Sequence, residues 1–118
     1  TEIKATTKAL KNNTEGNLIV VFQPHRYTRT RDNFNDLSKS FEYSDKTLIT
    51  DIYSAGEKPI PGVSSLMFES DKIKYIKSLR MVPSYLKNNI SPGDTVLTIG
   101  AGDITLLGPQ ILKYLNEN

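Results

Sequence analysis

The sequence predicts an α/β fold: three layers, with a mainly parallel sheet and helices on both faces. Three observations carry that expectation. "NLIVVF" (17–22) and "TVLTIG" (95–100) are continuous apolar runs rich in β-branched residues. Such runs read as strands covered on both sides, as in parallel sheets. Segments with apolar residues at helical spacing alternate with the strand candidates along the whole chain, which is the pattern of crossover connections.

The elements follow in order. "TEIKATTKALKN" places Ile3, Thr7 and Leu10 on one helical face, with Thr1 as its cap. "NNTEGN" breaks it, and the run 17–22 is the first strand. A basic loop follows. Phe34, Leu37 and Phe41 then line one face of a single second helix, capped by Thr28 or Thr30. "KTLITDIY" (46–53) is the second strand, and "SAGEKPIPG" (54–62) is a loop stiffened by Pro59, Pro61 and Gly62. "VSSLMFES" is a short helix. "IKYIK" (73–77) is the third strand, with Ile73, Tyr75 and Lys77 on one side. Leu79, Val82, Leu86 and Ile90 mark the next helix, with Pro83 early enough to be tolerated. After the turn "SPGD" and the fourth strand (95–100), Leu107, Ile111 and Leu115 mark a last helical segment.

Right-handed crossovers then give a single Rossmann-like domain over 1–118, with strand order 3-2-1-4. The chain reverses direction between strands 1 and 4. Ligands bind at such a switch point, beyond the carboxyl ends of the strands. The loops leaving these two strands are "QPHRYTR" and "GAGD", so both candidate motifs meet at one crevice.

Composition narrows the function. The 118 residues suit one domain, and 37% apolar content is enough for a core. Fifteen basic and thirteen acidic residues leave a net charge of +2, far from the basic excess of nucleic-acid binders. There is no cysteine, which excludes disulfides and thiolate metal sites and fits a reducing cytoplasm. No apolar stretch approaches the roughly 18–20 residues that span a bilayer. The chain opens on Thr1 rather than Met and runs at once into a helical pattern, as a domain cut from a longer protein would.

"FQPHRYTRTRD" (22–32) crowds His25, Arg26, Arg29 and Arg31 at the exit of a buried strand. A guanidinium is a planar fork matched to a carboxylate or phosphate. If a helix starts near Thr28, its first amides also favour an anion. The alternative is a solvated basic loop whose arginines pair with Asp32, Asp36 or Glu57. Arg31 reads as a surface or ion-pair residue. Gly100, Ala101, Gly102 and Asp103 let a backbone approach a ligand closely, yet lack the third glycine of a dinucleotide fingerprint; a tight strand-to-helix turn, capped by Asp103, explains them equally. Asp51, ending strand 2, reads as a loop hydrogen bonder. No Walker A loop, zinc spacing or Ser-His-Asp pattern is present, so no residue is assigned as catalytic and none as a metal ligand.

The stretches "TEIKAT", "LIVVFQPHRYTRTRDNFNDL", "TDIYSAGEKPIPGVSS" and "GDTVLTIGAGDI", in this order, resemble the C-terminal domain of the Mur ligase family, in its alanine-adding branch. Leu66 to Ser78 matches least well. The resemblance implies a Rossmann-like domain of a bacterial, cytoplasmic, three-domain ligase of peptidoglycan synthesis. In that family the first domain holds the UDP-sugar, and the central one holds ATP and most magnesium ligands. The third receives the amino acid. ATP phosphorylates the carboxylate of UDP-N-acetylmuramate, and the amine of L-alanine attacks the acyl phosphate. The resemblance implies that Arg26 and Arg29, with His25 beside them, hold the alanine carboxylate in a small pocket. It also implies that ATP and Mg2+ bind mainly on the two domains absent from this sequence, and that this domain alone is inactive. The family's Asp-Tyr and paired-histidine segment would precede Thr1, as would further strands, so strand 4 is expected to form an open edge and a route to self-association. Two other readings stand beside this one: a stand-alone nucleotide- or phosphate-binding module, and an interaction domain that uses its sheet edge.

Overall fold

The computed structural model describes residues 2–100. Four parallel strands form one sheet: β1 (Leu18–Phe22), β2 (Lys46–Ile49), β3 (Ile73–Tyr75) and β4 (Thr95–Ile99), in the order β3-β2-β1-β4. The predicted order is the observed one. All five residues of β1 are buried. Leu18, Val20 and Phe22 point to one face, where they meet Phe41, Ile49, Phe68 and Ile73. Ile19 and Val21 point to the other, against Leu48, Ile76, Val82 and Leu86. The continuous apolar run is thus a central strand with a core on each side, and each fully buried aliphatic side chain stabilises the fold by about 1.5–3 kcal/mol.

Helix α1 (Glu2–Asn12) lays Ile3 and Leu10 on the first core. Thr7 lies buried between them, its hydroxyl donating to the Ile3 carbonyl at 2.7 Å. On the opposite face, α4 (Val82–Asn89) starts with Pro83 in its first turn, where no amide is lost. It buries Val82 and Leu86, with Leu79 and Ile90 packed alongside, as the spacing predicts.

Some elements differ from expectation. The helix after the basic loop is two short ones, α2 (Tyr27–Asp32) and α3 (Phe34–Lys39), broken at Asn33. The Asn33 side chain donates at 2.9 Å to the Arg29 carbonyl that its own helical amide also uses at 3.0 Å, and such side-chain bonding competes with the helix ladder. Neither Thr28 nor Thr30 caps α2. Arg26 stands at the cap position, and Thr30 is buried one turn in, its hydroxyl turned back to the Arg26 carbonyl at 2.7 Å. β2 and β3 are shorter than predicted because ladder pairing ends at Ile49 and Tyr75. The short helix predicted in "VSSLMFES" is a 3-10 turn at Ser65–Phe68. The helical segment with Leu107, Ile111 and Leu115 lies outside the described residues. Among those described, β4 has β1 as its one neighbour.

Candidate functional site

The site begins where β1 and β4 end side by side. Phe22 is in register with Ile99, and the Gln23 amide donates to the Ile99 carbonyl at 3.1 Å. Above these strand ends a crevice encloses about 920 Å³. His25 and Arg29 line it together with Gln23, Asn33, Asp36, Ile99 and Gly100. The switch point inferred from the strand order is therefore a real cleft, and two of the three basic candidates face it. Arg26 stands outside the lining. Among the described residues, these side chains form one wall of the crevice.

The basic loop is tied down from the loop after β2. His25 and Tyr53 form an isolated parallel bridge. The Arg26 amide donates to the Tyr53 carbonyl, and the Tyr53 amide to the Pro24 carbonyl, both at 2.8 Å. The His25 ring stacks on that of Tyr53, with centroids 5.4 Å apart and planes 22° from parallel. These bonds hold Arg26 at a φ of 71° and ψ of 140°, a conformation that costs a non-glycine residue about 1–3 kcal/mol.

Glu57 completes the clamp. Its Oε1 accepts the Tyr27 amide at 2.6 Å and the Thr28 amide at 3.1 Å, while the Thr28 hydroxyl donates to Oε2 at 2.5 Å. The Thr28 hydroxyl first, then the two amides and the charge of Arg26, hold the Glu57 carboxyl below its usual range. The expectation that the first amides of this helix point at a ligand is thereby corrected. They are occupied by the protein's own carboxylate, thirty residues away in sequence. The Tyr27 and Thr28 amides are therefore not free for an anion in the crevice.

Among the described residues neither Arg26 nor Arg29 makes an ion pair, so the pairing expected with Asp32, Asp36 or Glu57 does not occur at those two arginines. Arg31 does pair, with Asp32 at 2.9 Å, as a surface residue. Asp51 is a loop hydrogen bonder, accepting the Tyr75 hydroxyl. That bond pushes the Tyr75 pKa up to about 12. Gly100 lines the crevice with φ at 150°, a backbone state suited to glycine. Ala101, Gly102 and Asp103 lie outside the described residues. Sequence reasoning missed Tyr53 and the role of Glu57. The only sequence signal for either was their place in the loop leaving the neighbouring strand. Among the described residues no group of three or more His, Cys, Asp or Glu gathers to hold a metal, and no helix is long and apolar enough to cross a membrane.

Comparison with known proteins gives this geometry a family. Residues 1–102 match the model described as "Mur ligase, glutamate ligase domain". A UDP-N-acetylmuramate–L-alanine ligase of Desulforamulus reducens is 39% identical over 99% of this chain and 27% of its own length. The enzyme of that name from Caldanaerobacter subterraneus subsp. tengcongensis is 46% identical over 99% of this chain and 26% of its own. The chain thus spans about a quarter of the curated relatives it matches. In fold it is similar to a crystal structure of a domain assigned to a UDP-N-acetylmuramate:L-alanyl-γ-D-glutamyl-meso-diaminopimelate ligase of Haemophilus ducreyi. That match has a TM-score of 0.63 and 16% identity, and covers 97% of this chain and 81% of the other. On the family match and these identities, the chain belongs to the Mur ligase family, as its C-terminal, glutamate ligase domain.

Proposed function

We propose that this domain receives L-alanine in an ATP-dependent ligase that joins it to UDP-N-acetylmuramate during peptidoglycan synthesis in the bacterial cytoplasm. The observation that carries the reading is the shared wall: His25 and Arg29 line one crevice beyond the carboxyl ends of β1 and β4, with Arg26 on the same clamped loop. The names of the relatives supply the substrates. In this reading the Arg29 fork holds the alanine carboxylate, assisted by Arg26 when the domains close. Each charge-assisted bond contributes about 1.5–3 kcal/mol. His25 borders the amino acid with its ring held in plane by Tyr53. The amine is left free to attack, and the catalytic gain is positioning, worth several kcal/mol of the barrier.

ATP supplies the phosphoryl group that activates the muramate carboxylate. In this reading ATP, Mg2+ and the UDP-sugar are held mainly by the other domains of the ligase, as the family resemblance implies. The test is Arg29→Ala and Arg26→Ala in the full-length ligase. Each is expected to raise the KM for alanine about 10-fold or more, with those for ATP and the UDP-sugar little changed. Wild-type kinetics for alanine in both variants would overturn the assignment.

A further inference from the structure

We infer that Glu57 is a positioning residue for amino-acid binding: from the neighbouring loop it locks the basic loop into the conformation that presents Arg29 to the crevice. The inference rests on the reading of that crevice as the amino-acid site.

Three features carry it. Glu57 takes three donors from two consecutive residues, Tyr27 and Thr28, that lie between Arg26 and Arg29. One carboxylate therefore fixes the start of α2 and the direction in which Arg29, on its first turn, leaves the helix. Arg26, just before these residues, is held at a φ of 71°. A backbone state of that kind persists only where surrounding contacts over-determine it. Here they are the Tyr53 pairing on one side and the Glu57 clamp on the other. Finally, Glu57 is not in an ion pair with Arg26 or Arg29 among the described residues. It bonds backbone and a hydroxyl, which leaves the Arg29 guanidinium in the crevice wall available to a ligand.

α2 has only six residues and no side-chain cap of its own. A helix this short is marginal without outside support. The loop carrying Glu57 is itself stiffened by Pro59 and Pro61, and its turn is closed by the Glu57 amide donating to the Ser54 carbonyl at 3.0 Å. The clamp thus joins one rigid loop to one that needs support.

The test uses the full-length ligase. Glu57→Ala is expected to raise the KM for alanine about 10-fold, the weight of a lost cap, while those for ATP and UDP-N-acetylmuramate hold. Glu57→Gln keeps one carbonyl oxygen for the two amides and should recover most of that loss. Thr28→Val, which removes only the hydroxyl donor, should raise the alanine KM about 3-fold. That variant stands in if Glu57→Ala fails to fold. Three results would overturn the inference: an unchanged alanine KM in Glu57→Ala and Thr28→Val, a parallel rise in all three KM values, or a Gln variant no better than Ala. Arg29→Ala separates the two levels. If it too leaves alanine untouched, the site reading has failed; if it raises the alanine KM and Glu57→Ala does not, only the positioning role has.

Discussion

The carboxylate of Asp94 occupies the space into which a β-carbon on Gly16 would project. The contact joins the loops that feed β1 and β4. Asp94 accepts the Asn17 amide at 2.8 Å and the Ser91 amide at 2.9 Å, and the Gly16 amide donates to the Gly93 carbonyl at 2.9 Å. The register of the two strands that flank the crevice is set from this end.

Gly16→Ala should therefore cost about 1–3 kcal/mol of stability, the usual penalty of forcing a methyl into filled space. Adding Asp94→Ala should recover only part of the loss. The Gly93 backbone still lies 2.9 Å from the new β-carbon, and the two amides lose their acceptor. Thermal melts of the two single variants and the double variant would check this. Full additivity of the two losses would show that the side chains do not meet.

Arg26 allows its backbone and side chain to be separated. Arg26→Gly removes the guanidinium but also relieves a strain of about 1–3 kcal/mol, against a glycine entropy cost of about 0.5–1 kcal/mol. The variant should melt at or above the wild-type temperature, whereas Arg26→Ala retains the strained φ and gains nothing. An Arg26→Gly protein less stable than Arg26→Ala would mean that the positive φ at this position carries no strain.

The Asp51–Tyr75 bond makes a prediction in alkali. Its hydrogen bond to the Asp51 carboxylate, aided by burial, raises the Tyr75 pKa to about 12. A folded-state pKa above the unfolded value means that the stabilisation is complete below about pH 10 and is lost as pH rises toward 12. Ultraviolet titration should show Tyr75 ionising near pH 12, and Asp51→Asn should lower that midpoint toward the ordinary tyrosine value of about 10. An unchanged titration in that variant would remove Asp51 as the cause.

Much of this protein is written in short-range patterns. The run 18–22 marks a doubly covered strand because five consecutive apolar side chains must be hidden on alternate faces. Parallel strands joined by right-handed crossovers leave few orders, so 3-2-1-4 and its crevice were legible, and with them the placing of His25 and Arg29. The resemblance to the Mur ligase family was legible in "FQPHRYTRT" and "AGEKPIPG". Tertiary structure alone decided what those residues touch. Whether the α2 amides meet a ligand or Glu57 depends on where a loop thirty residues away comes to rest. That Arg26 takes a positive φ, between the Tyr53 pairing and the Glu57 clamp, while Arg29 lines the crevice is likewise set by contacts distant in sequence. Hydrophobic periodicity is a property of neighbours in the chain, and it names the elements. Single hydrogen bonds between loops are directional and depend on ångström-scale placement, which no local pattern encodes.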